Sequence, residues 1–191
     1  MTDILSEALI FAAEHHGGQL RKSSDMPYII HPVEVGAIIY TITDDVDVIA
    51  AGILHDTVED TSATIEDIRE RFGERIAGLV SHETENKRSE LPASATWKLR
   101  KQETLEGLKN TTDRAVKIIW LGDKLSNARS LYARVKNEGD EAFNMFNEKD
   151  KKQHEWYYRT IVDYLSELSD TEAYKEFVSL VDKIFTDGDV K

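Results

Sequence analysis

The chain has 191 residues, 40% of them hydrophobic and 31% charged, which is enough for one domain with its own core. With 24 Lys and Arg against 36 Asp and Glu, its formal net charge of −12 argues against nonspecific binding to the phosphate backbone of nucleic acid. Cysteine is absent, so disulfides, zinc–thiolate sites, iron–sulfur clusters and a Cys nucleophile are excluded.

The sequence has no feature of a membrane protein. No apolar run approaches the roughly 18–20 residues that a bilayer-spanning helix needs. The first residues, MTDILSEALIFAAEHH, carry early acids and no basic region, so they are not typical of a signal peptide. We therefore expect a soluble cytoplasmic protein that binds neither membranes nor nucleic acid, while its oligomeric state stays open.

Helical periodicity begins at the first residues. Apolar side chains recur at three- and four-residue spacing over residues 4–13, and Gly17-Gly18 predicts the end of that helix. A polar stretch follows. Because proline is well tolerated in the first helical turn, the next helix is predicted over Pro32–Tyr40.

The following two helices have capping signals. Asp44 or Asp45 is the predicted cap of a helix over residues 46–60. The segment from Thr64 to Asp67 resembles a capping box, and Gly73 predicts the end of the helix that it begins. A further short helix is predicted over residues 74–83.

Periodicity fails over residues 83–101, a highly charged stretch that we interpret as an exposed loop turning helical near Thr96. Helices are then predicted over 97–109, 113–136, 149–167 and 171–185, with a loop over 137–140. No alternating strand pattern or internal repeat is present. The predicted fold class is all-α, one compact domain of about eight to ten helices over residues 1–191.

The segment Leu54-His55-Asp56-Thr57-Val58-Glu59-Asp60 concentrates polar side chains at the end of an apolar run. Residues four apart share a helix face, so His55 is predicted to lie above Glu59 and Asp56 above Asp60. This grouping favours metal or acid–base chemistry. A solvated acidic helix end with an isolated histidine would give the same pattern.

Two distant residues could join this group. His31 follows two isoleucines and precedes a proline, a position that also suits a buried structural histidine. Asp123 follows the apolar run 118–121, where a carboxylate is costly unless it is paired or binds a cation. Its partner could instead be Lys124 or Arg129 in an internal ion pair. Asn127 lies one helical turn beyond it.

Together, His31, His55, Asp56 and Asp123 would form a set of two imidazoles and two carboxylates. Such a set suits Mn, Fe, Co, Ni or Zn. Four protein ligands with open positions for water would make a hydrolytic site and not a closed structural one. The spacing alone does not establish that these residues meet.

These residues resemble the motifs of the HD-domain metal-dependent phosphohydrolases. Three strings are similar to the hydrolase domain of the RelA/SpoT-like alarmone enzymes, and the size is similar to the small alarmone hydrolases, which lack a synthetase half. The strings are Pro27-Tyr28-Ile29-Ile30-His31-Pro32, Leu54-His55-Asp56-Thr57-Val58-Glu59-Asp60-Thr61 and Gly122-Asp123-Lys124-Leu125-Ser126-Asn127. The resemblance covers about residues 1–168, and the helix over 171–185 is expected to pack on that part as an HD-domain helical bundle.

The resemblance implies hydrolysis of the 3′-pyrophosphate of (p)ppGpp to GDP or GTP and pyrophosphate, with one Mn²⁺ per chain. It implies that His31, His55, Asp56 and Asp123 are the metal ligands. It also implies that Glu59 and Asp60 are the catalytic acidic pair that positions and activates water. The implied nucleotide-binding residues are Arg21, Lys22, Lys124, Asn127 and Tyr157.

Alternatives remain within and outside this class. The substrate could be another nucleotide, such as an adenosine alarmone, NADPH or a nucleoside monophosphate, or the chain could be a noncatalytic nucleotide-binding regulator. Gly122 stands where alanine is commoner in the family, and it could loosen Asp123. The remaining histidines, His15, His16, His82 and His154, are interpreted as surface or capping residues.

Overall fold

The structure is a computed structural model that describes residues 3–22, 24–83, 88, 90 and 92–186. In that part of the chain it contains ten α-helices, two short 3₁₀ helices and no strand, so the all-α prediction is confirmed. The α-helices are α1 (Ile4–His15), α2 (Ile30–Tyr40), α3 (Val46–Leu54), α4 (Thr57–Asp60), α5 (Ile65–Phe72), α6 (Glu74–Glu83), α7 (Ala93–Asn110), α8 (Arg114–Glu138), α9 (Lys151–Tyr164) and α10 (Glu172–Phe185). The 3₁₀ helices are Gly139–Met145 and Ser166–Leu168. None of the described helices is both long and apolar enough to cross a bilayer.

Side-chain caps explain where several helices begin. Asp45 accepts a hydrogen bond from the amide of Asp47 at the start of α3. Thr64 and Asp67 form the predicted capping box at the start of α5, each side chain binding the other residue's amide. Gly18, with φ of 79°, lies in the left-handed region that ends the turn after α1.

The chain divides into two compact units. Residues 1–85 and 112–126 form the first unit, and residues 86–111 and 127–191 form the second. Helix α8 supplies residues to both. That the whole chain works as one HD-type domain stays a prediction.

Helix α3 lies at the centre of the first unit and packs against α1, α2 and α6. All residues from Val48 to Leu54 are buried, which explains why this helix lacks a polar face. Its position brings the end of α3, and therefore His55, into the interior of the unit.

Three glycines allow α2, α3 and α8 to approach closely. A Cβ atom on Gly52 would lie 2.1 Å from Ile39 Cδ1, and one on Gly122 would lie 2.9 Å from Ile39 Cγ1. A Cβ atom on Gly36 would lie 2.7 Å from Ile53 Cγ1. Larger residues at these positions would push apart the helices that carry the candidate site.

In the second unit α9 packs against α7 and α10. The contact is rich in aromatic side chains, which bury large areas and pack edge to face or tilted. Its buried aromatic members are Trp97, Phe143, Tyr157, Tyr158, Phe177 and Phe185.

Three local predictions were wrong. The predicted helix over 46–60 is interrupted at His55-Asp56, where the Asp56 backbone (φ −88°, ψ −8°) leaves ideal helical geometry. Helix α7 begins at Ala93 directly after Pro92, because proline is acceptable as a helix start. The predicted loop over 137–140 is the end of α8 followed by a 3₁₀ helix.

Candidate metal centre

His31 lies in the first turn of α2 and is 2% exposed. Its Nδ1 atom lies 2.8 Å from the Ser126 hydroxyl oxygen on α8. Its other nitrogen, Nε2, lies 3.1 Å from Asp123 Oδ1 and 3.5 Å from Asp56 Oδ2. His31 therefore presents Nε2 to two carboxylates.

His55 follows the last residue of α3 and is equally buried. Its Nδ1 lies 2.8 Å from the carbonyl oxygen of Gly52, which can only accept, so Nδ1 carries a proton and donates it. Its Nε2 lies 3.0 Å from Asp56 Oδ2 and 3.7 Å from Asp123 Oδ1 but makes no hydrogen bond of acceptable geometry. A buried nitrogen without a hydrogen bond, facing two carboxylates, is what a metal ligand requires.

Asp123 lies on α8 and is 5% exposed. Ligand atoms of His31, His55 and Asp123 all lie within 4.8 Å of one another. Two ligand atoms that each lie about 2.1 Å from one cation are about 3.0 Å apart when the ligand–cation–ligand angle is about 90°. They are about 3.4 Å apart when that angle is tetrahedral. The distances from the two histidine nitrogens to Asp123 Oδ1 are close to that range, so the donor set fits a divalent cation.

Asp56 does not belong to that three-residue group, but its Oδ2 contacts both histidine nitrogens. The same oxygen accepts a hydrogen bond of 2.5 Å from the Tyr28 hydroxyl, which also lies 3.4 Å from Asp60 Oδ2. Tyr28 thus connects a predicted ligand with one member of the predicted acidic pair. Burial and the nearby carboxylates raise the pKa of Tyr28 far above its usual value, so the phenol keeps its proton.

The charges of the group are strongly coupled. Burial alone would lower the pKa of His55, but the carboxylates of Asp56 and Asp123 outweigh it and raise this pKa well above its usual value. Burial would raise the pKa of Asp123, but Lys124 and the two histidines hold it well below its usual value.

The predicted cationic residues lie in different surroundings. Lys124 forms an ion pair with Asp123 and lies with Nζ 4.7 Å from the centre of the Trp120 ring. Arg129, the other partner considered for Asp123, forms an ion pair with Glu176. Arg21 lies 5.6 Å from the centre of the Tyr28 ring, and Lys22 beside it is exposed.

The remaining predicted residues are Glu59, Asn127 and Tyr157. Glu59 is half-buried on α4, one residue before Asp60. Asn127 follows Asp123 by four residues on α8 and belongs to the second unit. Tyr157 is also in the second unit, is 5% exposed and lies beneath Lys101, whose Nζ is 5.1 Å from the ring centre.

The structure corrects one prediction about the other histidines. His154 is 5% exposed and therefore not a surface residue, because its ring packs against Trp97, Phe143 and Phe146. His16 caps the end of α1 as expected but is buried against Tyr28.

Sequence reasoning missed Tyr28 and Ser126, which contact candidate ligands, and Glu34, which contacts Ser126. Ser126 donates a 2.7 Å hydrogen bond to Glu34 Oε2 while it contacts His31. The helical spacing held a signal, because Glu34 follows His31 by three residues and Ser126 follows Asp123 by three. Tyr28, which lies before α2, has no comparable signal.

Comparisons with known proteins identify the family of the chain. The HD domain family matches residues 8–149, a segment that contains all four candidate ligands. The chain is 40% identical over 134 residues to the guanosine-3′,5′-bis(diphosphate) 3′-pyrophosphohydrolase MESH1 of Danio rerio, covering 68% of this chain and 70% of that protein. It is 37% identical over 131 residues to the GTP pyrophosphokinase of Myxococcus xanthus, covering 68% of this chain but 17% of the relative.

Most of the similar bacterial proteins are much longer than this chain. It spans 18% of the guanosine-3′,5′-bis(diphosphate) 3′-pyrophosphohydrolase of Aquifex aeolicus, with 38% identity over 128 residues. The similarity therefore concerns only part of each of these longer proteins.

Solved structures share the fold over nearly the whole chain. A metazoan SpoT ortholog described as hydrolysing ppGpp has a TM-score of 0.72 and 26% identity, covering 96% of both chains. A Listeria monocytogenes protein has a TM-score of 0.71 and 31% identity, covering 81% of this chain and 98% of its own. With its matching domain, its all-α fold and its clustered histidines and aspartates, the chain belongs to the HD-domain family, and it is similar to the SpoT-like 3′-pyrophosphohydrolases.

Proposed function

We propose that this protein is a Mn²⁺-dependent hydrolase that removes the 3′-pyrophosphate of ppGpp and pppGpp, releasing GDP or GTP and pyrophosphate. The observation that carries the proposal is the buried donor set in which His31 Nε2, His55 Nε2 and Asp123 Oδ1 face one another. The similarity to two proteins named as 3′-pyrophosphohydrolases supports the choice of substrate.

Four residues would hold one divalent cation: His31, His55, Asp56 and Asp123. Two imidazoles and two carboxylates are compatible with Mn²⁺, which accepts nitrogen and oxygen donors. When bound, such a cation lowers the pKa of a coordinated water and polarises a phosphate oxygen.

Hydrolysis needs a place for the proton of the attacking water. Water adds to the phosphorus attached to the ribose 3′ oxygen, the bond between that phosphorus and oxygen breaks, and the 3′ oxygen leaves as a hydroxyl. We assign the proton acceptor to the Glu59-Asp60 pair on α4. This assignment is supported by the Tyr28 hydroxyl, which lies within hydrogen-bond distance of both Asp60 Oδ2 and the candidate ligand Asp56.

The substrate brings several negative charges to a strongly acidic protein, so local cations are needed. Lys124, already beside Asp123, is the cation closest to the donor set in sequence and is assigned to the phosphates. We also assign nucleotide binding to Arg21 and Lys22, which precede α2, and to Asn127 and Tyr157. This assignment rests on the resemblance to the family.

The test combines metal content with product analysis. The purified protein is examined by elemental analysis, supplied with Mn²⁺, and incubated with ppGpp, whose products are separated by anion exchange. We expect GDP and intact pyrophosphate. The protein could instead bind metal, leave ppGpp intact and cleave another nucleotide in a substrate panel. That result would support the metal site and show that ppGpp is not the substrate. Absence of both metal and cleavage would reject the donor set.

A further inference from the structure

A second line of polar contacts lies behind His31, on the side away from the other candidate ligands. His31 Nδ1 lies 2.8 Å from Ser126 Oγ, and the Ser126 hydroxyl lies 2.7 Å from Glu34 Oε2. Ser126 is fully buried, and Glu34 is half-buried on the same helix as His31. All three residues belong to the first unit.

The chemistry of these groups sets the direction of each hydrogen bond. The Ser126 hydroxyl donates its proton to a carboxylate oxygen of Glu34. With that proton committed, the serine oxygen has only lone pairs to offer His31. Nδ1 of His31 therefore carries a proton and donates it to Ser126.

The ring of His31 is thereby held with a proton on Nδ1 and with Nε2 on the side of the other candidate ligands. Nε2 is the atom that faces Asp123 and Asp56. The opposite tautomer would place a proton where a cation must bind. A hydrogen bond to the distal nitrogen also fixes the orientation of the ring.

We propose that Ser126 and Glu34 are positioning residues that hold His31 in the metal-binding tautomer through the relay Glu34–Ser126–His31. The proposal rests on the proposed metal role of His31, but the tautomer itself is a property of the metal-free protein. His55 Nδ1 likewise donates a proton, to the backbone carbonyl of Gly52. Only the His31 relay is therefore open to removal by side-chain substitution.

The relay predicts a directly measurable tautomer. Long-range ¹⁵N–¹H correlation spectra of the metal-free full chain distinguish a protonated Nδ1 from an unprotonated one. We expect His31 of the unaltered protein to show the Nδ1–H form. Ser126→Ala removes the acceptor of that proton, and Glu34→Ala frees the Ser126 hydroxyl to donate to Nδ1. Both variants should shift His31 towards the Nε2–H form.

Metal affinity gives the second readout. Titration calorimetry with Mn²⁺ should show binding weakened about 10- to 100-fold in Ser126→Ala, with stoichiometry unchanged. Ser130→Ala, an exposed serine one turn further along α8, is the matched control and should leave both tautomer and affinity unchanged. Thermal unfolding followed by circular dichroism establishes that each variant is folded.

The outcomes separate this proposal from the proposed function. An unaltered protein with His31 in the Nε2–H form would overturn the relay, whether or not the protein hydrolyses ppGpp. A Ser126→Ala variant with unchanged tautomer and Mn²⁺ affinity would overturn it as well. An unaltered protein that has the Nδ1–H form but binds no Mn²⁺ would reject the metal role and leave the hydrogen-bond relay established. If Ser126→Ala does not fold, the half-buried Glu34 provides the same test.

Discussion

Ile39 on α2 fills the space that a side chain on Gly52 of α3 would occupy, since a Cβ atom there would lie 2.1 Å from Ile39 Cδ1. Gly52 also supplies the carbonyl oxygen that accepts the proton of His55 Nδ1. One glycine thus sets the spacing of two helices and the orientation of a candidate ligand.

Gly52→Ala is expected to destabilise the protein. Alanine recovers about 1 kcal/mol of helix propensity, but overpacking a buried contact costs about 1–3 kcal/mol. Because Ile39 is fully buried and has little room to move, we expect a net loss of about 1–2 kcal/mol in the free energy of unfolding, measured in urea. Gly78→Ala on α6, where nothing lies within 4 Å of the added atom, should stabilise the protein by up to about 1 kcal/mol. Equal effects of the two substitutions would contradict this account.

Tyr28→Phe is expected to impair the site while leaving the fold intact. The substitution removes the hydrogen bond to Asp56 Oδ2 and the contact with Asp60. Removing such an outer partner of a ligand typically costs about 10- to 100-fold in metal affinity or turnover. Turnover of ppGpp and Mn²⁺ affinity are measured beside Tyr40→Phe, whose side chain is exposed on α2. A loss of similar size in both variants would argue against a specific role for Tyr28.

Asp123→Ala and Glu59→Ala should separate metal binding from proton transfer. Asp123→Ala is expected to abolish both bound metal and activity. Glu59→Ala is expected to retain the metal while losing turnover by about 10²–10⁴-fold, the usual contribution of a positioned acid or base. Elemental analysis and ppGpp hydrolysis report the two properties independently. Equal metal occupancy in Asp123→Ala and the unaltered protein would remove Asp123 from the ligand set.

His154 should make stability fall as the solution becomes acidic. Burial lowers the pKa of this histidine below its usual value of 6.5, while its Nε2 lies 2.9 Å from the Glu148 carbonyl oxygen. The unfolded chain then takes up the proton more readily than the folded protein. The stability contributed by the neutral ring is complete above about pH 6.5 and is lost as pH falls through the folded pKa.

This dependence can be isolated with His154→Gln, which keeps an N–H donor but does not titrate. Unfolding in urea at about pH 7.5 and about pH 5 should show a larger loss of stability in the unaltered protein than in the variant. An identical loss in both proteins would show that other groups cause the acid sensitivity.

Local capping signals predicted where some helices begin, whereas several helix ends and the tertiary contacts were not predicted. The capping box at Thr64 was predicted, and Asp45 was one of the two predicted caps of α3, because each cap depends on residues a few positions apart. The interruption at His55-Asp56 was not predicted. Helix α3 is buried on all sides, so its sequence has no periodic pattern of polar residues that would mark where the helix ends.

The candidate ligands were identified by residue type and by family resemblance, but their approach in space depends on packing. Three glycines and Ile39 bring α2, α3 and α8 together, and no periodicity reveals that contact. The contact of Ser126 with Glu34 is also tertiary, since the two lie on separate helices far apart in sequence. His154 was assigned to the surface for the same reason, because its aromatic neighbours come from α7 and from the segment between α8 and α9.

The order in which the ligand helices occur along the chain has a kinetic consequence. His31 and His55 belong to consecutive helices, α2 and α3, which can pair early because only a short connection must close. Asp123 lies on α8, after four further helices, so we expect its contact with the two histidines to form late in folding and to break early in unfolding. A cation held by all three residues would tie α8 to the earlier pair and slow unfolding more than it speeds folding. Bound metal would then slow the unfolding of the first unit. It would lengthen the lifetime of the folded chain in addition to its chemical role.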